Sequence, residues 1–66
     1  MNTESREYFI QLYIEGFTDQ LNDIKPRDWF GTEFDKLIYF WGRADASENK
    51  EIDIDSILNK IKTYEF

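Results

Sequence analysis

The first third of the chain carries apolar residues on one side and acidic residues on the other, both at helical spacing. About 100° of rotation per residue brings six apolar side chains to one side: Phe9, Ile10, Tyr13, Ile14, Phe17 and Leu21. On the opposite side, residues spaced four apart lie one above the other, and we call this row the acidic ladder: Glu7, Gln11, Glu15, Asp19 and Asp23, with Glu4 on the same side. The pattern predicts an amphipathic helix from Glu4 to about Asn22. It ends before Pro26 because the residue before a proline avoids the helical region.

A β-strand is the alternative for residues 8–14, because this run is rich in aromatic and β-branched residues. The apolar spacing continues through Phe17 and Leu21 with a helical period. We therefore favour the helix.

Two further helices are expected. Thr32 is placed to cap the second, with Asp35 reaching back three residues later in a capping box. The apolar stripe predicted for this helix is Phe34, Leu37, Ile38 and Trp41. Gly42 and residues 45–49 then indicate an exposed loop. Asp53 or Asp55 is expected to cap a third helix, whose stripe is Ile54, Ile57, Leu58, Ile61 and Tyr64.

The expected fold is therefore an all-α, three-helix domain formed by residues 1–66 as one unit. Aromatic residues make up 18% of the chain, which argues against disorder because disordered acidic chains contain few of them. Tyr39 and Phe40 lie off the predicted stripe, and surplus aromatic surface on a small domain indicates an interface. We expect these two residues to form a homodimer interface. The alternative is that they pack against the loop containing Trp29 and Phe30.

The composition disfavours catalysis. The chain has neither His nor Cys, so it lacks the commonest general base and the commonest transition-metal ligand, and it cannot form a disulfide. We expect no enzymatic activity and no cofactor. The longest apolar run, Leu37 to Trp41, is far shorter than the roughly 20 residues that span a membrane, and the first residues do not resemble a signal peptide. A cytoplasmic location is expected.

Residues 45–56 place oxygen-bearing side chains at regular intervals. Asp45, Ser47 and Asn49 stand at loop positions one, three and five, Ile52 at position eight and Asp53 at position nine. This arrangement resembles the calcium-binding loop of EF-hand proteins. Two positions depart from it: Lys50 replaces the glycine of the sharp turn, and Ser56 replaces the bidentate glutamate. We therefore expect no metal site and interpret the segment as a solvated acidic loop.

The charge pattern suggests a function. Like charges four apart destabilise an isolated helix by about 0.2–0.5 kcal/mol per pair, and no Lys or Arg lies on the face of the acidic ladder. Local rules broken in this way often mark function. The net charge of −6 opposes direct binding to nucleic acid or to an anionic membrane. Carboxylates on this row repeat at about 6 Å along the helix axis, comparable with successive phosphates of one DNA strand.

We therefore expect a small acidic inhibitor that occupies the basic, nucleic-acid-binding surface of a partner protein. In size and charge the chain is similar to small acidic proteins of phages and mobile elements that imitate DNA. The expected contact residues are Glu4, Glu7, Tyr8, Leu12, Glu15, Asp19 and Asp23. Two alternatives stay open. The acidic face can be merely solvated, or the protein can be a structural or regulatory interaction module that acts as a homodimer or small subunit.

Overall fold

The computed structural model describes the backbone of residues 3–65 and the side chains of residues 6–63. Across this part of the chain there are three helices and no strand: α1 at Thr3–Leu21, α2 at Glu33–Ser47 and α3 at Ile54–Glu65. The predicted all-α, three-helix fold is confirmed, and the strand alternative for residues 8–14 is wrong. None of these helices is long and apolar enough to cross a membrane.

Short polar side chains cap the N-termini of α2 and α3. Thr32 has an extended backbone, and its hydroxyl accepts a hydrogen bond of 3.1 Å from the Asp35 N–H, as predicted. The Asp35 carboxylate, which was expected to reach back to the cap, accepts a bond of 2.8 Å from the Tyr8 hydroxyl. Asp53 accepts bonds from the N–H and the hydroxyl of Ser56, at 3.2 and 3.0 Å, so it is Asp53 rather than Asp55 that caps α3. These bonds favour the ionised carboxylate and lower the pKa of Asp53.

Glycines bring α1 and α2 into backbone contact. A Cβ atom added at Gly16 would lie 2.0 Å from the Tyr39 carbonyl oxygen, and one added at Gly42 would lie 2.1 Å from the Tyr13 carbonyl oxygen. Such distances leave no room for any side chain at either position. The expectation that Gly42 begins an exposed loop is wrong, because α2 continues through it to Ser47 and buries it against α1.

This contact sets which face of α2 is buried. The face that meets α1 contains Ile38, Tyr39 and Ala46. Relative to the predicted stripe it is rotated, since Leu37 is exposed and Phe34 and Trp41 are only partly buried. The buried hydrophobic cluster of the described residues is Leu12, Tyr13, Phe17, Ile38, Tyr39, Ala46, Ile57 and Ile61.

The third helix packs on α1 and stands apart from α2. Its buried residues are Ile57 and Ile61, both almost inaccessible to solvent. Within the described residues no Cα atom of α2 lies within 8 Å of a Cα atom of α3. An open groove therefore remains between these two helices.

Candidate interaction surfaces

Two members of the acidic ladder are used inside the fold. Glu15 forms an ion pair of 2.9 Å with Arg27, and Asp19 accepts a hydrogen bond of 2.5 Å from the Tyr39 hydroxyl. The Arg27 guanidinium also lies 5.1 Å from the centre of the Tyr39 ring. The ladder is thus partly balanced by a basic residue from the loop after α1, which the helical spacing alone does not show.

Tyrosine–aspartate hydrogen bonds connect α1 to α2 at three places. Tyr39 donates to Asp19 as described, Tyr8 donates to Asp35 at 2.8 Å, and Tyr13 donates to Asp45. The bond to Asp35 is the main cause that raises the pKa of Tyr8. Burial is the main cause for Tyr13 and Tyr39, and the bonded carboxylates raise the pKa of both further. Each pair keeps the phenol protonated, because ionisation would place two anions side by side.

These raised pKa values predict a loss of stability in alkaline solution. A folded state that holds phenol protons more tightly than the unfolded chain is fully stabilised below the unfolded pKa of about 10 and loses that stabilisation as the pH rises above it. We expect the urea midpoint to fall above about pH 10. The variant Tyr13→Phe should show a shallower decline, because one linked proton is gone. A midpoint that stays constant up to about pH 11 would contradict the raised pKa values of these tyrosines.

The structure separates the other expected contact residues. Leu12 was expected as an exposed apolar anchor, but only 6% of it is accessible; this assignment is wrong because α2 and α3 both pack on α1 and bury a broad face of it. Tyr8 is half-exposed, with its hydroxyl held by Asp35. Glu7 and Asp23 are exposed, and Asp23 lies beyond the end of α1 with a positive φ of 60°. The side chain of Glu4 lies outside the described residues.

The two aromatic residues of the loop between α1 and α2 differ in burial. Phe30 is partly buried, with ring centres 5.2 Å from Tyr39 and 5.9 Å from Phe40, so the alternative that these residues pack against the loop is confirmed for Phe30. Trp29 is 79% exposed and covers no core. Tyr39 is completely buried, which rules out the exposed position expected of it in a dimer interface. Tyr39 is covered by α1 and by Phe30.

Phe40 remains exposed and belongs to an apolar row on the outer face of α2. Leu37, Phe40 and Ala44 follow one another at intervals of three and four residues, and all three are exposed; the carboxylate Glu33 lies four residues before Leu37, at the N-terminal end of the row. Leu37 is 43% and Phe40 36% accessible. This is the heptad spacing of a helix that packs against another helix. We call this row the α2 seam.

The α2 seam borders the groove between α2 and α3. This groove has a volume of about 500 Å³ and is lined by Leu37, Ile38, Phe40, Trp41, Lys60 and Thr63. The Lys60 ammonium lies 3.9 Å from the centre of the Trp41 ring, a cation–π distance. The lining is apolar apart from Lys60 and Thr63, so this surface fits apolar side chains better than a polar ligand.

The acidic segment 45–56 does not form one loop. Asp45 lies within α2 and accepts the bond from Tyr13. The Lys50 ammonium lies 3.1 Å from Glu48 and 3.9 Å from Asp45, and the bond to Glu48 raises the pKa of Lys50. Among the described residues no group of three or more acidic side chains is arranged to hold a metal ion.

Comparison with protein-family models, with curated proteins and with solved structures finds no match to this chain. The residues that form the α2 seam were present in the sequence at heptad spacing, but Leu37 was assigned to the core. The orientation of α2 is set by the contact of Gly42 with the backbone of α1. The spacing of apolar residues in the sequence does not indicate this contact.

Proposed function

We propose that the protein is a non-catalytic protein-interaction module that binds a partner through the α2 seam. The observation that carries this proposal is the exposure of Leu37 and Phe40 at heptad spacing on a chain of only 66 residues. A chain this short has little apolar surface to spare from its own core. Single exposed apolar residues are ordinary, whereas a contiguous apolar row marks a binding surface.

The groove supports the same proposal. Leu37 and Phe40 belong to the seam and also line the groove, which continues to the partly buried Trp41. Aromatic residues at the edge of a concave apolar surface are typical of the residues that dominate binding energy in protein interfaces. The protein would then act as a small subunit or regulatory module.

A second candidate is the acidic inhibitor that occupies a basic, nucleic-acid-binding surface. It is favoured by exposed carboxylates that have no Lys or Arg within ion-pair distance in the described part of the chain: Glu7, Asp23, Asp28, Glu33, Glu51 and Asp55. We rank it second because Glu15 and Asp19 are engaged by Arg27 and Tyr39. Fewer free anions of the acidic ladder therefore remain for a partner.

Paired variants separate the two candidates. The intact protein is immobilised, and partners are captured from a lysate of the cells that produce it. Capture is compared at low salt and at about 1 M salt, where the Debye length is about 3 Å. We expect the double variant Leu37→Ser, Phe40→Ser to lose the partner. The double variant Glu7→Lys, Asp23→Lys should retain it, and capture should survive high salt.

The opposite pattern would overturn the seam proposal. Loss of the partner in the Glu7→Lys, Asp23→Lys variant, with release of the partner by salt, would support the acidic inhibitor instead. A wild-type protein that captures nothing would contradict both candidates. Circular dichroism of each variant checks that the helices remain, since all four substituted residues are exposed.

A further inference from the structure

The flanks of the α2 seam are basic although the chain as a whole is acidic. In heptad notation Leu37 and Ala44 are a positions, so Lys36 and Arg43 occupy the preceding g positions. On the other flank Trp41 occupies the e position, and α3 places the Lys60 ammonium over its ring. Cations therefore border Leu37 and Phe40 on both sides, while the acidic residue Glu33 lies at the N-terminal end of the row.

Two of these cations form no ion pair within the described residues, although Lys60 also contacts the Trp41 ring. In the part of the chain that the structure describes, neither Lys36 nor Lys60 has a carboxylate within ion-pair distance, and both are exposed. Arg43 is half-buried and donates a hydrogen bond of 3.4 Å to the Tyr39 hydroxyl. In helix pairs, charges at the e and g positions select the partner by opposite charge.

We propose that the α2 seam binds an amphipathic helix of another protein, one whose apolar stripe is bordered by Glu or Asp residues. This inference rests on the proposed function and specifies its partner. The apolar stripe of the incoming helix packs on Leu37 and Phe40, and one of its side chains enters the groove beside Trp41. Its carboxylates meet Lys36 on one flank and Lys60 on the other.

A second copy of the chain fits the seam less well. In an antiparallel pair the g positions face each other, which would bring Lys36 and Arg43 of one copy against Lys36 and Arg43 of the other. In a parallel pair the g positions face the e positions, so Lys36 would meet the Trp41 flank. Neither arrangement places a carboxylate at the flanking position that faces Lys36. Charge complementarity therefore selects a different, acidic helix.

Two synthetic helical peptides test the inference on the intact protein. Each has about three heptads with Leu at every a and d position. One carries Glu and the other Lys at all e and g positions, and the remaining positions are identical. Binding is followed by tryptophan fluorescence and by chemical shifts of the backbone amides at about 0.15 M salt, where a Debye length of about 8 Å screens the distant charges of the chain and leaves those beside the seam. We expect the Glu peptide to bind at least about tenfold more tightly than the Lys peptide, with shifts concentrated on α2.

Charge reversal provides the matched control. The double variant Lys36→Glu, Lys60→Glu keeps Leu37 and Phe40 and should prefer the Lys peptide. The variant Leu37→Ser, Phe40→Ser should bind neither peptide. Equal binding of both peptides by the wild type would overturn the acidic partner and leave the proposed function standing, and so would a double Glu variant whose preference is unchanged.

Two other outcomes also overturn the inference. If neither peptide binds, the seam does not accept a helix of this kind, and the capture experiment above decides separately whether it binds any protein. Sedimentation equilibrium of the protein alone tests for a second copy. A mass near twice 8.0 kDa that returns to the monomer value in Phe40→Ser would show that the chain itself occupies the seam.

Discussion

We expect the substitution Gly42→Ala to destabilise the protein by at least about 3 kcal/mol. The added methyl group would lie 2.1 Å from the Tyr13 carbonyl oxygen and close to the backbone nitrogen of Phe17. Backbone atoms of a packed helix cannot move aside as a flexible side chain can, so α1 and α2 must separate. Because a small domain is stable by only about 5–15 kcal/mol, this loss would remove a large fraction of the free energy of unfolding. Urea unfolding followed by tryptophan fluorescence measures the change.

The sign of this effect makes the test decisive. In an exposed helix, replacing Gly with Ala stabilises by roughly 1 kcal/mol, so a protein without this helix contact would become more stable. Gly16→Ala should resemble Gly42→Ala, since its methyl group would meet the Tyr39 carbonyl oxygen at 2.0 Å. Gly31→Ala is the control: its methyl group would meet only a carboxylate oxygen of Asp35, at 2.9 Å. A stabilised Gly42→Ala variant would contradict the close approach of α1 and α2.

Features with a local cause could be predicted from the sequence. The three helices follow from apolar spacing, and the caps at Thr32 and Asp53 follow from side chains that bond to backbone N–H groups three residues later. Both signals lie within a few residues of the structure they determine. The fold class was therefore accessible without knowledge of how the helices pack.

The buried faces could not be predicted in the same way. Gly42 is a helix breaker by local propensity, and only the presence of the α1 backbone explains why it lies inside a helix. The contact at Gly42 rotates α2, which buries Tyr39 and exposes Leu37. Both Phe40 and its neighbour Tyr39 were expected at the surface. This expectation is right for Phe40 and wrong for Tyr39.

The acidic ladder shows how a broken local rule can have a structural cause. Its repulsion is opposed by Arg27, which comes from the loop, and by the hydroxyl of Tyr39, which comes from α2. Neither partner is on α1, so helical spacing within α1 cannot reveal either of them. For Glu15 and Asp19 the repulsion between carboxylates is therefore opposed by tertiary contacts. This weakens the argument that the acidic ladder exists to bind a basic partner.

The second large effect is expected in α3, where Ile57→Ala should cost about 2–5 kcal/mol. Ile57 is completely buried and lies in the hydrophobic cluster that joins α3 to α1. Removing three carbon atoms leaves a cavity between α3 and α1. This contact is the main attachment of α3, because no Cα atom of α2 lies within 8 Å of a Cα atom of α3 in the described residues. Urea unfolding measures the loss, and hydrogen exchange of the α3 amides reports whether this helix is released first.

Ile54→Ala is the matched control, because Ile54 lies on the same helix, three residues away, and is 38% exposed. It should cost less than about 1 kcal/mol. The difference between the two variants isolates packing from helix propensity, since both replace Ile with Ala in α3. Release of α3 would also withdraw Lys60 from the Trp41 ring, so Ile57→Ala should change tryptophan fluorescence before global unfolding. Equal effects of the two substitutions would show that α3 is not anchored through Ile57.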